Sequence, residues 1–290
     1  MSYDLHFTTP KISRDQFEDY FSDNNLYTVE DDQACYENKD TGVYFVFEYN
    51  DQPPENDEDI EHSVMFNMNY CRPHYFALEA EPEVCRFIEH FSCGIYDGQS
   101  QGMESGPYSR EGFLKGWNYG NAFGYSVLLS GEHAPEHIWS RPGQELESIW
   151  SWNYLKRSRQ ESIQEDIFIP TIMFMIKDGE LVTICAWPDA ISTLIPQVDY
   201  LYIPRKQLAP RKWFKKTEDQ CLIRMSEAEG ILGEYRTDGY EIEACKLPAP
   251  VTPAAVHAFV RGLTAYSGKL AGVPADKVLN RELLEDAKKP

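Results

Sequence analysis

Lysine and arginine are scarce at the start of this chain. Residues 1–100 hold 5 of them against 22 Asp and Glu, a balance of −17, whereas residues 101–290 hold 22 against 25. Nearly all of the formal net charge of −20 therefore belongs to the first third. Self-repulsion on that scale opposes compaction, so the excess suggests a counterpart, most simply a basic protein surface. The same field repels phosphate and argues against nucleic acid as a partner.

Other absences narrow the class further. The longest apolar stretch, Ile167–Ile176, is interrupted by Pro170 and Thr171 and is about half of a membrane span, so no membrane partner is expected. An acid stands at position 4, and the first residues have neither a basic nor an apolar leader region, which makes a cytoplasmic location the expectation. Seven scattered cysteines, at 35, 71, 85, 93, 185, 221 and 245, include no C-x-x-C pair, and reduced thiols suit them better than disulfides or zinc. No phosphate-binding glycine loop and no G-x-S-x-G elbow occurs. No catalytic residue, metal ligand or cofactor is therefore assigned.

What is present is the content of a globular α+β protein, with 42% apolar and 13% aromatic residues. Ser2–Thr8 reads as a strand, and Ser13 opens a helix that carries Phe17, Tyr20 and Phe21 on one face. Extended residues from Tyr27 to Glu37 turn at Asn38–Gly42 and return along Val43–Tyr49 as a hairpin. A strand at Ser63–Tyr70, a helix around Pro82–Phe91 and a strand at Cys93–Tyr96 complete a split-βαβ-like arrangement, an antiparallel sheet with its helices on one face. We expect two domains: an acidic α+β domain at residues 1–100, a linker and glycine-striped helix at 101–141, and a second α+β domain at 142–290.

The linker helix starts at Ser109 and runs to about Leu128, with glycines at 112, 116, 120 and 124. Each costs about 0.5–1 kcal/mol relative to alanine, so close packing beside Phe113, Trp117, Phe123 and Tyr125 is the expected compensation. Pro142 begins a further helix to about Glu165 whose apolar face includes Leu146, Ile149, Trp150, Trp152 and Leu155. Ile167–Ile176 and Leu181–Trp187 flank Asp178-Gly179, a favoured hairpin turn. Strands at Val198–Ile203 and Glu241–Lys246 follow, then helices from Thr252-Pro253 and from about Pro274.

Four motifs are candidates for function. His133-Ala-Pro-Glu-His137 spells the H-x-x-E-H string of inverted zinc peptidases, but Pro135 disfavours the helix that would place both imidazoles on one metal. Asp40-Thr41-Gly42 matches one half of an aspartic-protease pair; a single copy in a hairpin turn lacks the second carboxylate. Arg205, Lys206, Arg211, Lys212, Lys215 and Lys216, with Trp213 and Phe214 among them, form a basic cluster expected to be a solvated face or one that docks on the acidic domain. The sharpest is the acidic run Glu48, Asp51, Glu55, Asp57, Glu58, Asp59 and Glu61, kept out of regular structure by Pro53-Pro54. It is either a solvated loop or the binding arm for a basic partner.

The segments SYDLHF (Ser2–Phe7), DTGVYFVFE (Asp40–Glu48) and IPQVDYLYIPRKQLAPR (Ile195–Arg211) resemble bacterial immunity-type proteins that accompany secreted antibacterial toxins. The resemblance implies no catalytic residues. It implies a cytosolic binding protein whose acidic surface occludes the basic active cleft of a toxin. A hydrolase with an unrecognised site and a non-catalytic adaptor or scaffold are the alternatives from other classes.

Overall fold

The computed structural model describes residues 1–51, 61–99, 101–131, 137–210 and 218–286. The chain divides into two compact units, residues 1–146 with 276–290, and residues 147–275. The architecture is α+β. Among the described residues no helix is long and apolar enough to cross a membrane.

In the first unit, β1 (Ser2–Phe7) is followed by α1 (Arg14–Ser22). The Ser13 hydroxyl accepts from the Gln16 amide while the Gln16 side chain accepts from Ser13, a capping box that fixes where the helix begins. β2 (Tyr27–Glu30), β3 (Gln33–Asn38), β4 (Val43–Tyr49) and β5 (Val64–Asn69) then form a meander, and α2 (Tyr75–Phe91) leads to β6 (Ile95–Tyr96). The extended segment from Tyr27 is thus two strands, divided where Asp31 takes a positive φ of 52°. The sheet order β2-β3-β4-β5-β1-β6 is antiparallel throughout. Because β1 separates β5 from β6 and opposes both, β5–α2–β6 is a split βαβ unit.

Two-residue alternation sends Tyr3, Leu5, Phe7, Phe45, Phe47 and Phe66 to the helix-covered side, where all are buried. Phe21 of α1 and Phe87 of α2 pack on Phe47. α2 begins well before the expected start at Pro82. Burial of Tyr75, Phe76, Ala77, Glu79 and Ala80 anchors its first turns and overrides the local proline signal.

The glycine-striped helix, α3 (Arg110–Ser130), belongs to this unit rather than to a linker, because its stripe lies on the same face of the sheet. Phe113 packs on Phe66 and on Tyr3, and Trp117 on Tyr70. A side chain at Gly120 would overlap the Tyr70 ring, and one at Gly116 would stand 3.1 Å from the Tyr3 ring. Close packing therefore explains the glycines. Asn121 pins the turn after β5, its Oδ1 accepting from the Cys71 amide at 2.7 Å and its Nδ2 donating to the Arg72 carbonyl at 2.9 Å. Phe123 is the exception to the expected packing, being 58% exposed.

After β7 (Trp139–Arg141) and α4 (Gly143–Ser162), the second unit builds a five-stranded sheet. β8 (Ile172–Lys177) and β9 (Glu180–Ala186) form the expected hairpin, with Asp178 and Gly179 both at positive φ. β10 (Leu194–Pro196) lies in a separate small sheet, β11 (Tyr200–Arg205) pairs in parallel with β9, and β12 (Asp219–Arg224) pairs with β11. α5 (Met225–Leu232) and β13 (Arg236–Thr237) follow, then β14 (Ala244–Lys246), α6 (Ala254–Gly262) and β15 (Ala271–Val273), which edges the large sheet beside β8.

No long helix starts at Pro274. The chain instead returns to the first unit as β16 (Val278–Asn280), parallel to β7, and the short α7 (Arg281–Asp286). Asn280 is the reason in part: its Oδ1 accepts from the His74 amide at 2.9 Å, and Leu279 and Leu284 pack with Tyr125.

Candidate partner-binding face

The strands of the first sheet, β1 to β6, contain no lysine or arginine. Their helix-covered positions are apolar, so the polar residues fall on the other side. Across that face the register aligns Glu30, Gln33, Glu48, Met65, His6 and Tyr96 in one row, and Thr28, Cys35, Val46, Asn67 and Asp4 in the next. Glu37 stands opposite Tyr44 at the far end. All of these side chains are half-buried or exposed.

Neutral donors organise the carboxylates. Gln33 Nε2 donates to Glu48 Oε1 at 2.8 Å, and Asp4 accepts from the Ser2 hydroxyl at 3.1 Å and from Asn67 Nδ2. Amides leave a carboxylate its full charge, where a lysine would cancel it. Cations do reach the margins: Arg72 lies over the Tyr44 ring at 5.4 Å, with its Nε 3.7 Å from Asp276, and Arg14 pairs with Asp32 in the β2–β3 turn.

Three residues of the acidic run, Glu48, Asp51 and Glu61, are among the described residues. Glu48 is on β4, and Asp51 and Glu61 stand at the two ends of the connection to β5, where the Asn50 amide donates to the Ser63 carbonyl at 2.9 Å. Glu55, Asp57, Glu58 and Asp59 lie outside the described residues. A cavity of about 300 Å³ opens beside this connection, lined by Thr8, Lys11, Asp51, Glu61 and His62 among others. His6 and His62 meet nearby, ring centroids 4.4 Å apart, and the Nδ1 of His6 is buried without a hydrogen-bond partner among the described residues. Burial, then the neighbouring His62, pushes the His6 imidazole below its usual value. The pair escapes sequence reasoning because the two positions are far apart in the chain and only the β1–β5 register joins them.

Part of the acidic excess is not on the surface at all. Glu79, Glu81, Glu83 and Asp97 are buried, and each accepts a tyrosine hydroxyl: Tyr36 at 2.8 Å, Tyr108 at 2.9 Å, Tyr27 at 3.1 Å and Tyr3 at 2.7 Å. Asn38 and Thr41 also donate to Glu79, at 2.8 and 3.0 Å. Asp40-Thr41-Gly42 is accordingly a hairpin turn, with Gly42 at φ 76°.

The basic cluster is corrected in the same way at Arg205, which is buried. Its Nε and Nη2 donate to both oxygens of Asp219 at 2.8 and 2.7 Å, and its Nη1 donates to the Val260 and Leu263 carbonyls. Lys206 is exposed, and Arg211 to Lys216 lie outside the described residues, as do His133 and Glu136. His137 is exposed and packs on Trp139 at 3.9 Å. Among the described residues no group of three or more His, Cys, Asp or Glu is placed to hold a metal ion.

Comparison with known family models, with curated proteins and with solved structures gives no match. The chemistry of the face rests on its own geometry. Four outward carboxylates, Asp4, Glu30, Glu37 and Glu48, stand on strands that contain no lysine or arginine, which makes the face predominantly negative.

Proposed function

We propose that this chain is a binding protein whose acidic sheet face, with Asp51 and Glu61 at the ends of the β4–β5 connection, covers a basic surface of a protein partner. The observation that carries the reading is the set of six strands without lysine or arginine, with Asp4, Glu30, Glu37 and Glu48 on the side opposite the packed helices of the described residues. The resemblance to immunity-type proteins supplies the partner class, a secreted antibacterial toxin with a basic active cleft. Occlusion needs no catalytic group on this side.

The experiment is co-purification from the native cell followed by association kinetics with the protein recovered. Glu30→Lys with Glu48→Lys should slow association by about tenfold at low salt and flatten its salt dependence, with a much smaller change in dissociation. An unchanged on-rate and an unchanged salt slope would remove the sheet face as the contact surface.

A further inference from the structure

Phe123, Tyr119 and Val127 are 58%, 50% and 43% exposed. Spaced four residues apart on α3, they make one row directly beside the glycine stripe. Large apolar side chains lined up in water on a strongly charged protein mark a contact surface. Beside the row is a cavity of about 510 Å³ whose lining includes Met1, Asp4, Tyr70, Gly116, Gly120 and Phe123. Gly116 and Gly120 leave helix backbone as part of its wall, and the Tyr70 hydroxyl, held by Gln99 at 3.0 Å, gives it a fixed floor.

Asp4 joins this cavity to the acidic face, since the same residue lies in the outward row of β1. Among the described residues no lysine or arginine lines the cavity. A second copy of the chain would bring another −20 against the first, which disfavours self-association as the way this row is covered. The complementary occupant is a cationic protein.

We propose that the cavity is the apolar anchor of the partner interface: it receives a large apolar side chain that the basic partner presents next to a lysine or arginine directed at Asp4. This rests on the reading of the sheet face as the partner site and adds a division of labour to it. The carboxylates govern the rate of encounter, and Tyr119, Phe123 and the glycine-walled cavity govern how long the complex lasts.

Two short lysine-rich peptides, identical except for a central tryptophan or alanine, serve as probes in fluorescence-anisotropy titrations at low salt. The parent protein should bind the tryptophan peptide about tenfold more tightly than the alanine peptide. Tyr119→Ser with Phe123→Ser, both at exposed positions, should abolish that preference and leave the alanine peptide's affinity unchanged. Equal binding of both peptides to the parent, with both weakened by Glu30→Lys and Glu48→Lys, overturns the anchor and leaves the acidic face standing. Absence of binding by either peptide overturns both.

Discussion

In the first unit, buried Glu79, Glu81, Glu83 and Asp97 each accept a tyrosine hydroxyl; in the second, the buried guanidinium of Arg205 is held by Asp219 and by backbone carbonyls. Glu81 and Glu83 add Arg110 and Arg86, whose side chains are 64% and 56% exposed. Glu79 and Asp97 are the purer cases, with hydroxyl, amide and backbone donors around them. The difference teaches what each unit keeps. Neutral donors satisfy a carboxylate's lone pairs and leave its charge in place, whereas the Arg205–Asp219 pair cancels locally. An acid-rich unit built in the first way retains its negative field for the open sheet face.

The largest effect should come from breaking the cancelled pair. Arg205→Met strands the Asp219 carboxylate and the carbonyls of Val260 and Leu263, and we expect a loss of about 3–5 kcal/mol in urea unfolding. A loss under about 1 kcal/mol would mean water already satisfies these groups and the contrast between the units is false.

Next comes Glu79, whose Oε1 accepts from Tyr36, Asn38 and Thr41. Glu79→Ala should cost about 2–3 kcal/mol by orphaning three buried donors, and Glu79→Gln about 1 kcal/mol, since an amide oxygen can take the same bonds. Equal losses for the two variants would show that the charge, not the acceptor, is what the site requires.

The smallest effect sharpens the comparison through pH. Burial raises the Glu83 carboxyl above its ordinary 4.5, while Arg86 and the Tyr27 hydroxyl act in the opposite direction. A raised folded value means that the contribution to stability is full below about 4.5 and is lost as pH rises through the folded value. At neutral pH the ionised form is thus a burden. Glu83→Gln should match the parent or exceed it by roughly 0.5 kcal/mol near pH 7, and fall behind on acidification to about pH 4. A difference that stays constant across that range would place Glu83 in a well-solvated setting.

Where local chemistry sets the structure, the sequence is readable. The Ser13 capping box, the Asp178-Gly179 turn and the packing of the glycine stripe all depend on residues within a few positions of each other or on steric rules that glycine alone satisfies. The split βαβ order follows from hydrophobic alternation. Tertiary burial is harder to see: Pro82 looks like a helix start, and only the burial of Tyr75, Phe76 and Glu79 shows that the helix has already begun. Glu79, Glu81 and Glu83 count as surface charge in the sequence, because their tyrosine partners come from distant segments at 27, 36 and 108. The acidic face was legible only as composition. Its rows exist through strand register, and the exposed side of α3 is visible only once the helix is seated on the sheet.

The return of β16 to β7 has a consequence for biosynthesis. The first unit draws its last strand and helix from residues 278–286, which leave the ribosome only after the whole second unit has been made. Tyr125, Leu129 and Ile138 must wait for Leu279 and Leu284 before their apolar surfaces are covered. The second unit is contiguous in sequence, so all of its residues are synthesised before the last strand and helix of the first unit. The half of the molecule that carries the negative face is the half that finishes last.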